Sequence, residues 1–236
     1  MGKYAVVLSS GGVDSTTCVG LAVKKYGFRN VTTLSLFYGQ KHDKELMCAK
    51  QIAEYYHVPH IEKDISTVME FSNCSLLSHS TDEIKHTDYG EQVAENESGR
   101  VNTYVPFRNG LLLSIAASIA DSLYPGEEVD IYYGAHADDS AGSAYADCSP
   151  EFVRAIGKAI TQGTYGKIKV VAPLIKMNKT QVVSKGISLK VPYKHTWSCY
   201  EGDELACGTC GTCRDRLKAF ADNGVGDPIK YVEGVQ

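Results

Sequence analysis

A chain of 236 residues that is 43 % apolar and 22 % charged has room for one large α/β domain, or one domain with an appendage. Its net charge of −4, from 24 basic and 28 acidic residues, argues against a sequence-independent nucleic-acid binder, which needs a basic surface. The longest apolar stretch, Leu111 to Ala120, has about half the length of a membrane span and reads as a buried helix; with no basic-then-apolar leader at the start, a cytoplasmic protein without membrane contact is expected.

In chain order, Lys3–Leu8 predicts a strand that runs into Ser9-Ser10-Gly11-Gly12, and Asp14–Lys25 predicts a helix with Asp14 as a plausible N-cap. This is the layout of a phosphate cradle: a buried strand, a glycine turn, and a helix start whose unpaired N–H groups carry partial positive charge. The lysine that a Walker A loop places before its Ser or Thr is absent, and Asp14 precedes Ser15 instead. Val31–Phe37 is rich in strand formers, and Lys44–Tyr56 is amphipathic with Leu46, Ala49, Ile52 and Ala53 on one face. A third strand fits His60–Ile65. Residues 70–105 break the rhythm; they are polar, carry Asp82, Glu83, Asp88, Glu91, Glu95 and Glu97, and read as an insertion or lid.

The alternation resumes with a helix over Gly110–Leu123, a strand over Val129–Gly134, a helix over Pro150–Ile160 with Ser149 as its N-cap, and a strand over Ile168–Ala172. Strands alternating with helices imply a doubly wound, mostly parallel sheet, whose ligands bind beyond the C-terminal strand ends. The distinctive segments fall there: Ser9–Ser15, then FYGQKH from Phe37, then GAHADDS from Gly134. Near the end, Cys199, Cys207, Cys210 and Cys213 stand at spacings of seven, two and two intervening residues. Two consecutive C-x-x-C steps, with Gly208 and Gly211 to turn the backbone, can aim three thiolates at one centre, and Cys199 can close a tetrahedron for Zn²⁺. An iron–sulfur cluster or a redox dithiol remains an alternative. The expected organisation is an α/β domain over 1–190 that carries the glycine-turn loop and a zinc-binding segment over 191–236, with a short helix from Arg214 to Asp222. Cys18 and Cys48 fall inside helical patterns and read as small buried hydrophobes.

SGGVDS at Ser10–Ser15 resembles the PP-loop of the ATP pyrophosphatase superfamily, adenine-nucleotide α-hydrolases that cleave ATP between its α and β phosphates. FYGQKHDKE from Phe37, VPFRNGLLL from Val105, the segment Gly134–Phe152 and the four-cysteine tail are similar to the 7-cyano-7-deazaguanine synthase family, from Tyr4 to about Ala221 and most weakly over 70–100. The resemblance implies conversion of 7-carboxy-7-deazaguanine, ammonia and ATP to the nitrile, through an adenylated carboxylate and an amide, for queuosine or archaeosine precursors. It implies ATP, Zn²⁺ and Mg²⁺ as cofactors, small-molecule substrates with no direct nucleic-acid partner, and is compatible with a homodimer. Free ammonia is the expected nitrogen source, since Gly2 offers no N-terminal nucleophile.

The nucleotide site then falls on Leu8, Ser9, Ser10, Gly11, Gly12, Val13, Asp14, Ser15, Thr16, Thr17 and Cys18. Ser10, Ser15 and Thr16 can add hydroxyl donors, while Asp14 either caps the helix or enters a Mg²⁺ shell. Lys41, His42 and Arg108 are candidates to meet the phosphate charge, with Lys41 and Arg108 the catalytic choices. A guanine-like edge offers N–H donors that a carboxylate accepts bidentately. Among His136, Asp138, Asp139, Tyr145 and Asp147, the substrate is assigned to Asp147, Tyr145 and Asp138, with Asp147 on the purine edge. Two rival readings are another enzyme of the superfamily, such as a tRNA-thiolating enzyme, and a zinc-ribbon interaction module with a vestigial nucleotide site. The acidic balance opposes the first, and the intact loop the second.

Overall fold

A computed structural model describes residues 2–41, 44–84, 101–140, 145–202 and 204–235. Five strands form one parallel sheet in the order β3-β2-β1-β4-β5: β1 (Tyr4–Leu8), β2 (Val31–Phe37), β3 (His60–Asp64), β4 (Val129–Tyr132) and β5 (Ile168–Val171). A strand side chain alternates between the two faces, and here both faces are covered. Ala5 and Val7 join a cluster with Val19 and Ala22 of α1 (Val13–Tyr26), Ile52 of α2 (Lys44–Tyr56) and Phe220 near the chain's end. Val6 and Leu8 point the other way, to Leu113 and Ala116 of α3 (Arg108–Leu123). Two-sided burial explains why β1 reads as a continuous apolar run.

The remaining helices are the single turn α4 (Ala137–Ser140), α5 (Pro150–Gly163), α6 (Lys179–Ser188) and α7 (Gly211–Asp222). Ser149 caps α5 by accepting from Phe152 N at 3.1 Å, as its sequence position predicts. Helix α6 has no counterpart among the sequence expectations. Its start is nonetheless signalled: Asn178 accepts from Gln181 N at 2.9 Å and Gln181 Oε1 accepts from Asn178 N at 3.0 Å, a complete capping box. The described parts of the expected insertion fold onto the body. Met69, Cys74, Leu76, Leu77 and Val105 form a buried cluster, and Leu77 bridges to Gln40. Asp88, Glu91, Glu95 and Glu97 lie outside the described residues.

Strand order reverses at β1, which pairs with β2 on one side and β4 on the other. A crevice opens outside the strand ends at such a reversal, and residues 9–15 and 134–138 sit there. The C-terminal segment returns to the same end of the sheet. It is pinned by Arg216 of α7, whose side chain is 0 % exposed and clasps Asp227 (1 % exposed) through Nε at 2.6 Å and Nη2 at 2.9 Å. Arg216 Nη1 also donates to Thr196 Oγ1 at 2.8 Å, and Tyr231 donates to Asp227 Oδ2 at 2.7 Å.

Removing one partner of such a pair leaves a buried charge uncompensated, a loss of ~3–5 kcal/mol. Asp227→Ala should therefore lower unfolding stability in urea by that order, whereas Glu127→Ala, which frees the exposed Lys3, should leave the midpoint unchanged. Equal midpoints for wild type and Asp227→Ala would show that the clasp contributes nothing.

Candidate functional site: a phosphate loop backed by a four-cysteine segment

The loop is built by fitting backbone into narrow space. Ser9 N extends the ladder to Leu34 O at 2.9 Å, and Ser35 Oγ donates to Ser9 O. Gly11 then turns with φ +82, and a Cβ there would lie 2.2 Å from Glu45 O and 2.7 Å from Ala49 N. The first turns of α2 press directly on this residue, so both the backbone angle and the space exclude any side chain. Gly12 is different. Its φ is −81, and a Cβ there would meet nothing closer than Ser10 Oγ at 3.4 Å, Trp197 O at 3.5 Å and Ser198 Oγ at 3.9 Å. A methyl group fits structurally at Gly12 but fills the space above the start of α1.

Gly12, not Asp14, is the N-cap of α1, and it supplies no side-chain cap. The expectation that Asp14 caps the helix is corrected on this point: Asp14 lies inside the first turn. Ser10 and Ser15 hold the loop closed, with their hydroxyls 3.1 Å apart and Ser10 N donating to Ser15 Oγ at 3.2 Å. The other residues of the stretch face inward. Leu8, Val13, Thr16, Thr17 and Cys18 are buried, and Thr17 Oγ1 bonds Val13 O at 2.8 Å and Tyr193 Oη at 2.7 Å. Ser10 is exposed and Ser15 buried beneath it, while Ser9 Oγ and Thr16 Oγ1 are buried without a hydrogen-bond partner.

Asp14 turns toward a cation that sequence reasoning missed. Lys179, the first residue of α6, places Nζ 2.6 Å from Asp14 Oδ2, and His136 Nε2 lies 3.8 Å from the same oxygen. Burial alone would raise the Asp14 carboxyl, but Lys179 and His136 outweigh it and leave it below the ordinary carboxylate range. Asp138 Oδ2 accepts from Lys179 N at 2.7 Å, which ties the residue 134–138 segment to α6. The Asn-x-x-Gln capping box with a lysine right after the cap was the available signal for Lys179.

The other candidates take distinct places. Arg108 is half-buried at the start of α3 and donates to Tyr38 Oη at 3.1 Å, joining the end of β2 to VPFRN. Lys41 is exposed, with Nζ 3.3 Å from Asp82 O, and it helps line a cavity of about 30 Å³ with Tyr38, Gln40, Glu45 and Tyr200. Burial pushes the Glu45 carboxyl up to about 7 against the opposing charge of Arg108. His42 lies outside the described residues. Asp147 is 4 % exposed, and its Oδ2 accepts from Asn109 N at 3.0 Å at the start of α3, so part of its acceptor capacity is already used within the fold. Tyr145 bonds Thr103 Oγ1 through its hydroxyl at 2.6 Å. The Asp139 side chain is outside the description.

Cys199, Cys207, Cys210 and Cys213 come together with all four sulfurs within 4.8 Å of one another. A tetrahedron with ~2.3 Å metal–sulfur arms has edges of about 3.8 Å, and Cys207 and Cys213 already lie 4.0 Å apart. Backbone N–H groups point at the sulfurs: Gly202 and Cys207 donate to Cys199 at 3.0 and 3.3 Å, and Cys210 donates to Cys207 at 3.3 Å. The thiols of Cys210 and Cys213, with backbone N–H groups behind them, hold Cys199 well below the usual thiol range. Converging sulfurs with N–H donors on them form a metal-binding site.

Fold and loop together define a PP-loop nucleotide-binding α/β protein. Solved structures share the fold: an NMN synthetase from Francisella tularensis, at 16 % identity with TM-score 0.50, covers 99 % of this chain and 80 % of its own. A U34-tRNA thiolase from Methanococcus maripaludis, at 14 % identity with TM-score 0.50, covers 94 % and 68 %. At the level of sequence the chain matches the family described as queuosine biosynthesis protein QueC over residues 4–224, and it belongs to that family. A protein named 7-cyano-7-deazaguanine synthase from Oceanobacillus iheyensis is 44 % identical over 98 % of this chain and 99 % of its own length. One of the same name from Methanospirillum hungatei is 40 % identical over 96 % and 99 %.

The two loop glycines should respond differently to alanine. Gly11→Ala meets backbone at 2.2 Å and should fold poorly or lose several degrees of thermal stability. Gly12→Ala should fold with a near-native melting temperature and lose nucleotide binding. If Gly12→Ala bound ATP as wild type does, the space above Gly12 would not be the ligand's.

Proposed function

We propose that this chain is an ATP-dependent carbon–nitrogen ligase that converts 7-carboxy-7-deazaguanine and ammonia to 7-cyano-7-deazaguanine. The observation that carries this reading is a phosphate cradle at the sheet's strand-order reversal, open above Gly12 and charged by Lys179 from outside the loop. Family membership narrows the substrate. A carboxylate is a poor electrophile, so its oxygen must first become a leaving group; adenylation achieves this and expels pyrophosphate. In this scheme the loop holds the departing pyrophosphate. Ser10 and Ser15 donate hydroxyls, the first N–H groups of α1 approach over Gly12, and Lys179 offsets charge. Asp14 Oδ1 is buried without a hydrogen-bond partner, which suits it to a Mg²⁺ ion bound with the nucleotide.

Arg108 and Lys41 would face the activated carboxylate, and the loop from Gly134 to Cys148, with Asp138, Tyr145 and Asp147, would receive the purine. Zn²⁺ is the metal we assign to the cysteines. All four protein ligands fill its tetrahedron, so it supplies folding energy and no chemistry. Attack by ammonia on the adenylate gives an amide, and dehydration after a second activation gives the nitrile.

Incubation of purified protein with 7-carboxy-7-deazaguanine, ATP and ammonium should yield the nitrile with AMP and pyrophosphate from the first step. Labelled pyrophosphate should exchange into ATP only when the carboxylate is present. ADP and phosphate with no such exchange would overturn the adenylation scheme, and no nitrile under any condition would overturn the substrate assignment.

A further inference from the structure

We infer that Ser198, carried by the segment that leads into the first cysteine of the cluster, is a further phosphate-contacting residue of the loop at Gly11 and Gly12. The inference rests on the reading of that loop as a phosphate cradle and extends it to a residue in the C-terminal segment. Its first support is position. Trp197 N donates to Gly11 O at 3.0 Å, so residues 197 and 198 run along the loop as its far wall. Ser198 Oγ and Ser10 Oγ lie 3.9 and 3.4 Å from the same point above Gly12, the point at which a Cβ would sit. Two hydroxyls from distant parts of the chain therefore flank one space, and Gly12 leaves that space empty of side chain.

The second support is that the segment cannot swing away. Thr212 Oγ1 donates to Ser198 O at 2.6 Å, and the buried Trp197 indole donates to Cys199 O at 3.1 Å. Lys44 Nζ sits 3.5 Å from the centre of the Trp197 ring, which locks α2 onto the same segment. A hydroxyl held this way loses little freedom when a ligand arrives, and preorganised donors contribute most to binding an anion.

The third support is the chemistry of the hydroxyl. Ser198 Oγ accepts from Arg216 Nη1 at 3.4 Å, and Arg216 can only donate. The proton of Ser198 must therefore be given elsewhere, and among the described residues no acceptor takes it. What Ser198 presents to the cradle is a donor, which a phosphate oxygen needs. Arg216 adds no uncompensated positive charge, because Asp227 holds it in a two-bond clasp. The ligand class is thus a phosphate oxyanion: inorganic pyrophosphate, or the β and γ phosphates of a bound nucleoside triphosphate.

Calorimetric titration with inorganic pyrophosphate tests this on three full-length proteins: wild type, Ser198→Ala and Ser198→Thr. The backbone bond from Thr212 survives both substitutions, and Arg216 Nη1, which loses its 3.4 Å bond to Ser198 Oγ in Ser198→Ala, keeps its 2.8 Å bond to Thr196 Oγ1, so bound metal should match wild type and the melting temperature should fall little. Loss of one hydrogen bond to a charged group weakens binding by about 10- to 100-fold. That loss is expected for Ser198→Ala, and affinity near wild type is expected for Ser198→Thr, which keeps the hydroxyl. Unchanged affinity in Ser198→Ala would overturn the inference while leaving the loop reading intact. So would a loss that tracks reduced metal content or melting temperature. No pyrophosphate binding by wild type would overturn the loop reading and the inference with it.

Discussion

The contact between Asp14 Oδ2 and Lys179 Nζ at 2.6 Å compensates a carboxylate that would otherwise repel the anion we propose for the loop around it. The pair is more than a neutralised charge. It joins the first turn of α1 to the first turn of α6 across the end of the sheet, and Asp138 adds a bond to Lys179 N from the segment after β4. Three pieces of chain that leave different strands are thereby fixed around one crevice. A Walker A loop carries its lysine within the glycine turn. This chain brings its lysine from 165 residues further on, so the charge of the cradle depends on the tertiary fold being intact.

The same dependence governs the opposite wall. Gly11 is closed in by α2 on one side and bonded through its carbonyl to Trp197 on the other. Trp197 precedes the first cysteine by two residues, and the buried Arg216–Asp227 clasp fastens the chain beyond the last one. The four-cysteine cluster lies between these anchors. Metal binding at such a site couples to folding, and here the segment that folds is one that touches the phosphate loop. The cluster's position next to the glycine loop gives a physical reason for this domain to carry four cysteines in its C-terminal segment.

How much of this was legible in the sequence varies by the range of the interaction involved. Strand β1 and the Gly11-Gly12 turn were readable, because a buried strand followed by glycines and a helix start is a local pattern. The cysteine cluster was readable too, since C-x-x-C steps set the geometry of three ligands within seven residues. For Asp14 the sequence leaves a helix cap and a Mg²⁺ shell open; the fold removes the cap, because Gly12 takes that position and the partner of Asp14 lies far along the chain. Helix α6 went unnoticed because its apolar positions are few, although its capping box was in plain view. Asp147 shows a third kind of limit. Its residue type suits a purine edge and a helix start equally, and only the fold reveals that Asn109 N already bonds it.

Lys179 is the positive charge we propose for a loop that has none of its own, and substitution by methionine tests this role most directly. Methionine keeps the length and apolar body of the side chain while removing the charge and its hydrogen bonds. Titration of ATP and of pyrophosphate against Lys179→Met should show affinity reduced about tenfold or more, the effect of losing a bond to a charged group. For pyrophosphate titrated without Mg²⁺, where Asp14 has no ion to hold, adding Asp14→Asn to that variant should recover part of the loss by removing the unpaired carboxylate. Wild-type affinity in a well-folded Lys179→Met protein would contradict the account, because the phosphate loop would then hold its anion without the lysine it borrows.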